Sequence, residues 1–277
     1  MSLNVFVIIL LGAALHATWN AVVKGGADKL LTTCMIASVA SLIALTAVPF
    51  LKPPARESWP FIGASVIFQV LYFALVASTY RLADMSQTYP IMRGTAPLLV
   101  ATVSVLVLSE SLSAFAWLGI AVISLGILSM ATVPSAGQRK GMVLALINAG
   151  VIAGYTLIDG VGVRKSGAPA AYTLWIFLLT GIPLFAWALA TRRGVFRDYF
   201  KRHWHLGVVG GFGTVASYGL ALWAMTAAPI ATVSALRETS ILFGVVICAW
   251  VLKEHVTRAR ILAACIIAAG AMVLRLG

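Results

Sequence analysis

Arg93 and Arg237 each stand several residues inside an otherwise apolar stretch, and Glu238 directly follows the second. An arginine at the bilayer centre costs about 2.5–3.5 kcal/mol on insertion scales, so each requires a partner or a hydrated cavity. A guanidinium presents a planar fork of donors that matches a carboxylate, so either one is a candidate receptor for the carboxylate of a cargo. The structural alternatives are a pair with Glu238 or Asp84, or snorkelling toward an interface. Glu238 and Asp159 are carboxyls within apolar spans and are candidate proton carriers. For Glu238 the competing reading is a pair with its neighbour Arg237 or with another helix. For Asp159 the proximity of Arg164 and Lys165 predicts a hydrated place at the end of its span.

Aromatic and polar residues complete the candidate set. His16, Trp19 and Asn20 fall within about one helical turn, and Gln69, Tyr72 and Tyr80 recur at roughly helical spacing further along. A polar face on a membrane helix is expected to turn inward. Tyr89, Tyr155, Trp175, Tyr218 and Trp223 would then add the walls of a cavity suited to a large apolar amino acid, although Tyr80, Tyr89 and Trp175 sit near span ends and fit an interfacial belt as well. The expected substrate-binding residues are His16, Trp19, Asn20, Gln69, Tyr72, Arg93, Tyr155, Tyr218, Trp223, Arg237 and Glu238. His16 has no second ligand near it in sequence, so no metal is expected, nor any other cofactor.

These residues are embedded in a chain of 277 residues that is 61% hydrophobic and 10% charged, where a soluble domain carries about 25% charged residues. Apolar runs of the roughly 20 residues needed to cross a bilayer recur from end to end. The net charge of +12 resides in short connectors without interleaved base-stacking aromatics, which argues for lipid headgroups and against nucleic acid. Cys34, Cys248 and Cys265 lie in apolar spans and read as small buried hydrophobes. The run Val5 to Leu15 lacks a preceding basic region and reads as a retained first span rather than a signal peptide. The sequence contains no His-Glu-x-x-His, Gly-x-Ser-x-Gly or Gly-Lys-Ser/Thr loop, so a membrane-embedded enzyme is the weaker reading. No selectivity-filter loop argues for a passive channel.

Hydropathy places spans near 3–23, 31–51, 60–80, 86–108, 114–133, 141–162, 170–191, 206–227, 229–251 and 259–276. The longer connectors are Lys52 to Pro60, Pro134 to Lys140 and the basic stretch Arg192 to His205. Thirteen Lys and Arg follow the odd-numbered spans and five lie on the other side, which predicts that both termini face away from the cytoplasm. Pro90, Pro97 and Pro183 fall inside spans and are candidate kinks. Gly207, Gly210, Gly211, Gly213 and Ser217 would allow the eighth span to approach a neighbour closely.

A shift of 144 residues places Arg93, Thr95 and Glu110 on Arg237, Thr239 and Glu254, with Gly126 on Gly270. An arginine inside an apolar span followed seventeen residues later by a glutamate at the membrane edge therefore occurs twice. Ser113 and Thr257, three residues after the glutamates, read as helix caps, and the glutamates themselves as turn or capping residues. Two units, 1–133 and 141–277, each with an odd number of spans, must enter the membrane from opposite sides, which makes an inverted repeat. Such a pair can open a shared midplane site alternately to either side.

The chain resembles the drug/metabolite transporter superfamily, specifically its EamA-type ten-helix exporters. The resemblance rests on Tyr72-Phe73-Ala74-Leu75, Ala83-Asp84, Pro90, Arg93, Pro97, Leu108-Ser109-Glu110-Ser111-Leu112, Ala235-Leu236-Arg237-Glu238-Thr239 and Gly270, with Trp19-Asn20 and Tyr155-Thr156 opening the halves. It implies an all-α membrane protein of two inverted five-helix repeats around a central cavity, in a bacterial inner membrane. It also implies a small-molecule cargo, with a neutral or aromatic amino acid the first choice and a multidrug or other metabolite substrate the alternative. Two fused halves suffice for a working monomer.

Overall fold

The computed structural model describes residues 1–131, 139–251, 253 and 256–276. Among these the elements are all helical: α1 (Leu3–Gly25), α2 (Lys29–Ala47), α3 (Trp59–Leu82), α4 (Met85–Leu108), α5 (Ala114–Leu128), α6 (Arg139–Ser166), α7 (Pro169–Met225), α8 (Ile230–Arg237), α9 (Ser240–Trp250) and α10 (Arg258–Leu276). Glu254, and with it the second half of the arginine–glutamate signature, lies outside the described residues, as does most of the stretch joining the two halves.

The surface is apolar. Leu42, Ile67, Leu106, Leu125, Phe212 and Leu262 are exposed, as expected where the solvent is hydrocarbon and every backbone polar group must be satisfied within a helix. Among the described residues eight helical stretches are long and apolar enough to cross a membrane, and α5 is a shorter apolar helix. At 57 residues α7 would extend about 86 Å as a straight helix, far beyond the roughly 30 Å of a hydrocarbon core. It folds back on itself, and its two arms account for two of the ten expected spans.

The sequence places a loop at Arg192 to His205, whereas helical bonding continues through it. The backbone leaves helical geometry only at Arg192 (φ −141°, ψ 35°) and His203 (φ −123°, ψ 15°). Between those corners Phe196, Tyr199 and Phe200 recur at helical spacing, and Phe196 is buried against Leu31, Cys34, Met35 and Ala188. The connector is thus a short amphipathic helix. The arms of α7 straddle α2: the Ser41 hydroxyl donates to the carbonyls of Phe177 (2.9 Å) and Leu178 (3.1 Å), while Gly207 and Gly210 face Met35 and Ile36. The glycine stripe of the eighth span therefore serves packing, with Gly207, Gly210 and Gly211 against α2 and Gly213 and Ser217 against α1.

Three further boundaries differ from the hydropathy reading. α2 ends at Ala47 and tightens into a 3-10 turn over Val48–Phe50, where Pro49 supplies no donor. α5 ends at Leu128, five residues early, and Ser129, Met130 and Ala131 follow as tight turns. α4 runs unbroken through Pro90 and Pro97, whereas the ninth span, whose only proline is Pro229 at its start, is split at Glu238 and Thr239.

The repeat is visible in the backbone. Ser109 (φ 55°) and Lys253 (φ 53°) are the non-glycine residues with positive φ among those described, and they are 144 positions apart. Where α5 meets α10, a Cβ on Gly126 would lie 3.1 Å from Ile267, and a Cβ on Gly270 would lie 2.8 Å from Ile123. Ile267 and Gly270 are the 144-shifted counterparts of Ile123 and Gly126, so the contact is reciprocal. Residue i meeting j while j meets i is the signature of a two-fold axis. Gly119 and Gly270 bring the backbones within 2.9–3.1 Å of such a Cβ, which only glycine permits.

Candidate substrate site

Near this axis α4 faces the break between α8 and α9. The break is a tightened turn in which the amides of Glu238 and Thr239 donate to the carbonyls of Ala235 (3.1 Å) and Leu236 (3.0 Å), an i to i+3 pattern. Interrupted helices of this kind form the binding regions of many transporters, because they place polar groups at mid-membrane.

Arg93 of α4 meets Glu238 at the break in a two-pronged pair, Nε to Oε2 and Nη2 to Oε1, both 2.9 Å. Both residues are buried, Arg93 at 7% and Glu238 at 4% exposure, and they are in direct contact, while Arg237 lies within electrostatic reach of Glu238 without pairing with it. The pair ties the first half to the second. Arg237 makes no ion pair among the described residues, and its guanidinium lies over the Tyr218 ring, 4.9 Å from the centroid. The two arginines are repeat mates, but their surroundings are not: the 144-shifted counterpart of Glu238 is Gly94. A Cβ at Gly94 would sit 2.8 Å from Leu128 Cγ and 3.1 Å from the Ser124 carbonyl, so α5 occupies the space a glutamate would need.

A second centre surrounds Asp159 of α6. Its carboxylate accepts from the hydroxyls of Ser65 (2.9 Å), Tyr172 (3.1 Å) and Tyr218, and Gln69 donates to Ser65 (3.1 Å). The expectation of a hydrated Asp159 beside Arg164 is overturned: Asp159 is fully buried. Arg164 turns away to the carbonyls of Met225 (2.7 Å) and Ala228 (2.9 Å) and to Glu110 (2.7 Å). Glycines of α6 allow this enclosure, because a Cβ on Gly162 would strike the Tyr172 hydroxyl and one on Gly160 would strike Ile230.

Tyr218 joins the two centres, with its hydroxyl on Asp159 and its ring beneath Arg237. Tyr72 and Tyr155 pack edge to face at 6.1 Å and lie within electrostatic reach of Arg93. His16 lies within reach of both arginines and accepts from Trp19 Nε1 at 3.2 Å. Of the expected residues, Gln69, Tyr72, Arg93, Tyr155, Tyr218, Arg237 and Glu238 thus converge, with His16 and Trp19 alongside. Asn20 is engaged locally, donating to the His16 carbonyl (2.7 Å), and Trp223 lies 40% exposed and apart from these contacts. Asp159 is not among the expected binding residues, and nothing in the sequence marks Ser65 or Tyr172. The Gly94–Glu238 mismatch was legible in the repeat.

At one end of the bundle, Glu110 accepts from the first amide of α8, Ile230 N, at 3.0 and 3.2 Å, in addition to holding Arg164. It therefore caps a helix of the other half rather than its own turn, and its negative charge suits that helix terminus. Ser113 does cap α5, accepting from Ala116 N at 3.1 Å.

Two inverted helical repeats that meet at a buried ion pair beside an interrupted helix define a multi-pass membrane transporter. The EamA-like transporter family matches residues 4–132 and again 139–276, one match to each half. The chain belongs to that family. A structure described only as the crystal structure of a protein has the same fold, with a TM-score of 0.78 over 100% of this chain and 98% of its own at 16% identity. No curated protein matches the sequence.

Proposed function

We propose that this transporter exports neutral or aromatic amino acids, or closely related carboxylate metabolites, across a bacterial inner membrane by alternating access of its two halves. On this reading the substrate carboxylate binds Arg237. The observation that carries it is the inequality of the repeat mates: Arg93 is paired directly with Glu238, while Arg237 has a tyrosine face and, among the described residues, no carboxylate in contact with it. Tyr72, Tyr155 and Tyr218 supply aromatic faces for a cargo ammonium or an apolar side chain. The charge distribution of the connectors supports termini outside the cytoplasm, and two fused halves make a monomer sufficient.

Flux of labelled Leu, Phe, Met and Thr into liposomes carrying the purified protein tests the reading. A hydrogen bond to a charged group contributes about 1.5–3 kcal/mol, so Arg237→Gln should weaken binding roughly 10- to 150-fold. No protein-dependent flux of any of the four would sink the amino-acid assignment, and flux of organic cations in their place would identify a multidrug exporter.

A further inference from the structure

We propose that Asp159 is a proton-binding site linked to the carboxylate site at Arg237 through Tyr218, so that a proton and a carboxylate cargo favour each other's binding. This rests on the assignment of Arg237 above.

The argument begins with the charges enclosed between the halves. Arg93 and Glu238 cancel one another at 2.9 Å. Arg237 and Asp159 balance without touching, with Tyr218 between them as ring to one and hydroxyl donor to the other. With Asp159 ionised the set is neutral, so an incoming carboxylate on Arg237 leaves one buried negative charge in excess, which is costly in a low-dielectric interior. A proton on an Asp159 oxygen removes that excess. By linkage the effect is mutual: whatever factor the proton contributes to cargo affinity, the cargo contributes to proton affinity.

The surroundings of Asp159 suit it to this role. α3 presents Ser65 and Gln69, α7 presents Tyr172 and Tyr218, α8 presents Arg237 and α6 itself presents Tyr155. From α4 the nearest charge is Arg93, already committed to Glu238. The 3-10 turn Arg56–Ser58 packs near Ser166, where Ala55 N donates to the Ser166 carbonyl, at the far end of α6. Asp159 is thus the one buried carboxyl of the cluster held by hydroxyls alone, and hydroxyls can rotate to accept from a protonated acid as readily as they donate to a carboxylate. When the proton arrives, the Tyr218 hydroxyl turns from its donor role while its ring stays under Arg237.

The test has a cargo-free arm and a binding arm, both on the full chain in lipid. In infrared spectra the C=O stretch of a protonated carboxyl should grow in as pH is lowered and be missing from Asp159→Asn. In the second arm, affinity for Phe should rise with acidity, by up to about tenfold per pH unit for one linked proton, and become independent of pH in Asp159→Asn. Tyr218→Phe, which keeps the ring and removes the hydroxyl, should leave the infrared band in place while flattening the pH dependence. A band that persists in Asp159→Asn, no band in the wild type, or an affinity independent of pH in the wild type overturns the proposal. If no amino acid binds, the amino-acid assignment fails and benzoate, a carboxylate without an ammonium, replaces Phe. Absence of pH-linked benzoate binding then overturns the proton linkage as well.

Discussion

Replacing Glu238 with Gln preserves the shape of the side chain and removes its charge, leaving the Arg93 guanidinium at 7% exposure without an anion. Its two 2.9 Å contacts to Glu238 are the ion-pair contacts found for Arg93, so among the described residues no other carboxylate takes over the role. Removing one member of a buried pair costs about 3–5 kcal/mol, whereas replacing both by apolar groups of similar volume is often neutral. Glu238→Gln and Arg93→Met should therefore each destabilise the protein strongly, and the double substitution Arg93→Met, Glu238→Met should be more stable than either. An interaction energy near 3 kcal/mol is expected in the cycle. Reversible unfolding in mixed detergent–lipid micelles, with thermal inactivation of the detergent-solubilised protein as a second readout, supplies the four corners. Additive losses would refute the claim that these charges depend on one another. Retention of carboxylate binding by the double variant would separate Arg93, a tie between halves, from Arg237.

Glu110→Gln removes the ionic partner of Arg164 and the anionic cap of α8, so a cysteine introduced by Ala228→Cys should be alkylated several-fold faster in that background; an unchanged rate would show that Glu110 does not hold this end closed. Gly270→Leu forces a side chain into a contact where even a Cβ lies 2.8 Å from Ile123, and overpacking of about 1–3 kcal/mol or more should appear as a lowered melting temperature. Phe196→Ala empties the contact that anchors the α7 connector on α2, at about 3–5 kcal/mol for a buried phenylalanine, and should raise protease cleavage between Arg192 and Arg202; unaltered cleavage would mean that the connector is not held by that contact.

Much of the fold could be read from the sequence because a membrane leaves so few choices. An apolar run of sufficient length has to be a helix, and an arginine inside one has to be answered, which is why Arg93, Arg237 and Glu238 stood out. The 144-residue repeat was equally readable, since polar matches in an apolar background rarely coincide by chance. The features that escaped depend on packing. The connector of α7 has too many arginines to look like a helix until Phe196 is seen buried, and the break at Glu238 has no proline to announce it, whereas Pro90 and Pro97 announce breaks that do not occur. The sequence suggests a hydrated Asp159 because Arg164 lies only five residues away, but the Arg164 side chain is drawn to Glu110 and two carbonyls, and glycines at 160 and 162 allow Ile230 and Tyr172 to close over the aspartate. Only three-dimensional neighbours reveal that.

The inequality of Gly94 and Glu238 also bears on energy between states. If the two halves trade conformations, the contact now made by positions 93 and 238 passes to positions 237 and 94, where a glycine faces an arginine and no pair can form. The two extremes of the cycle are then not equal in energy. The empty protein should rest in the state that keeps Arg93 on Glu238, and a bound carboxylate, by answering Arg237, would supply in the opposite state the anion that position 94 lacks.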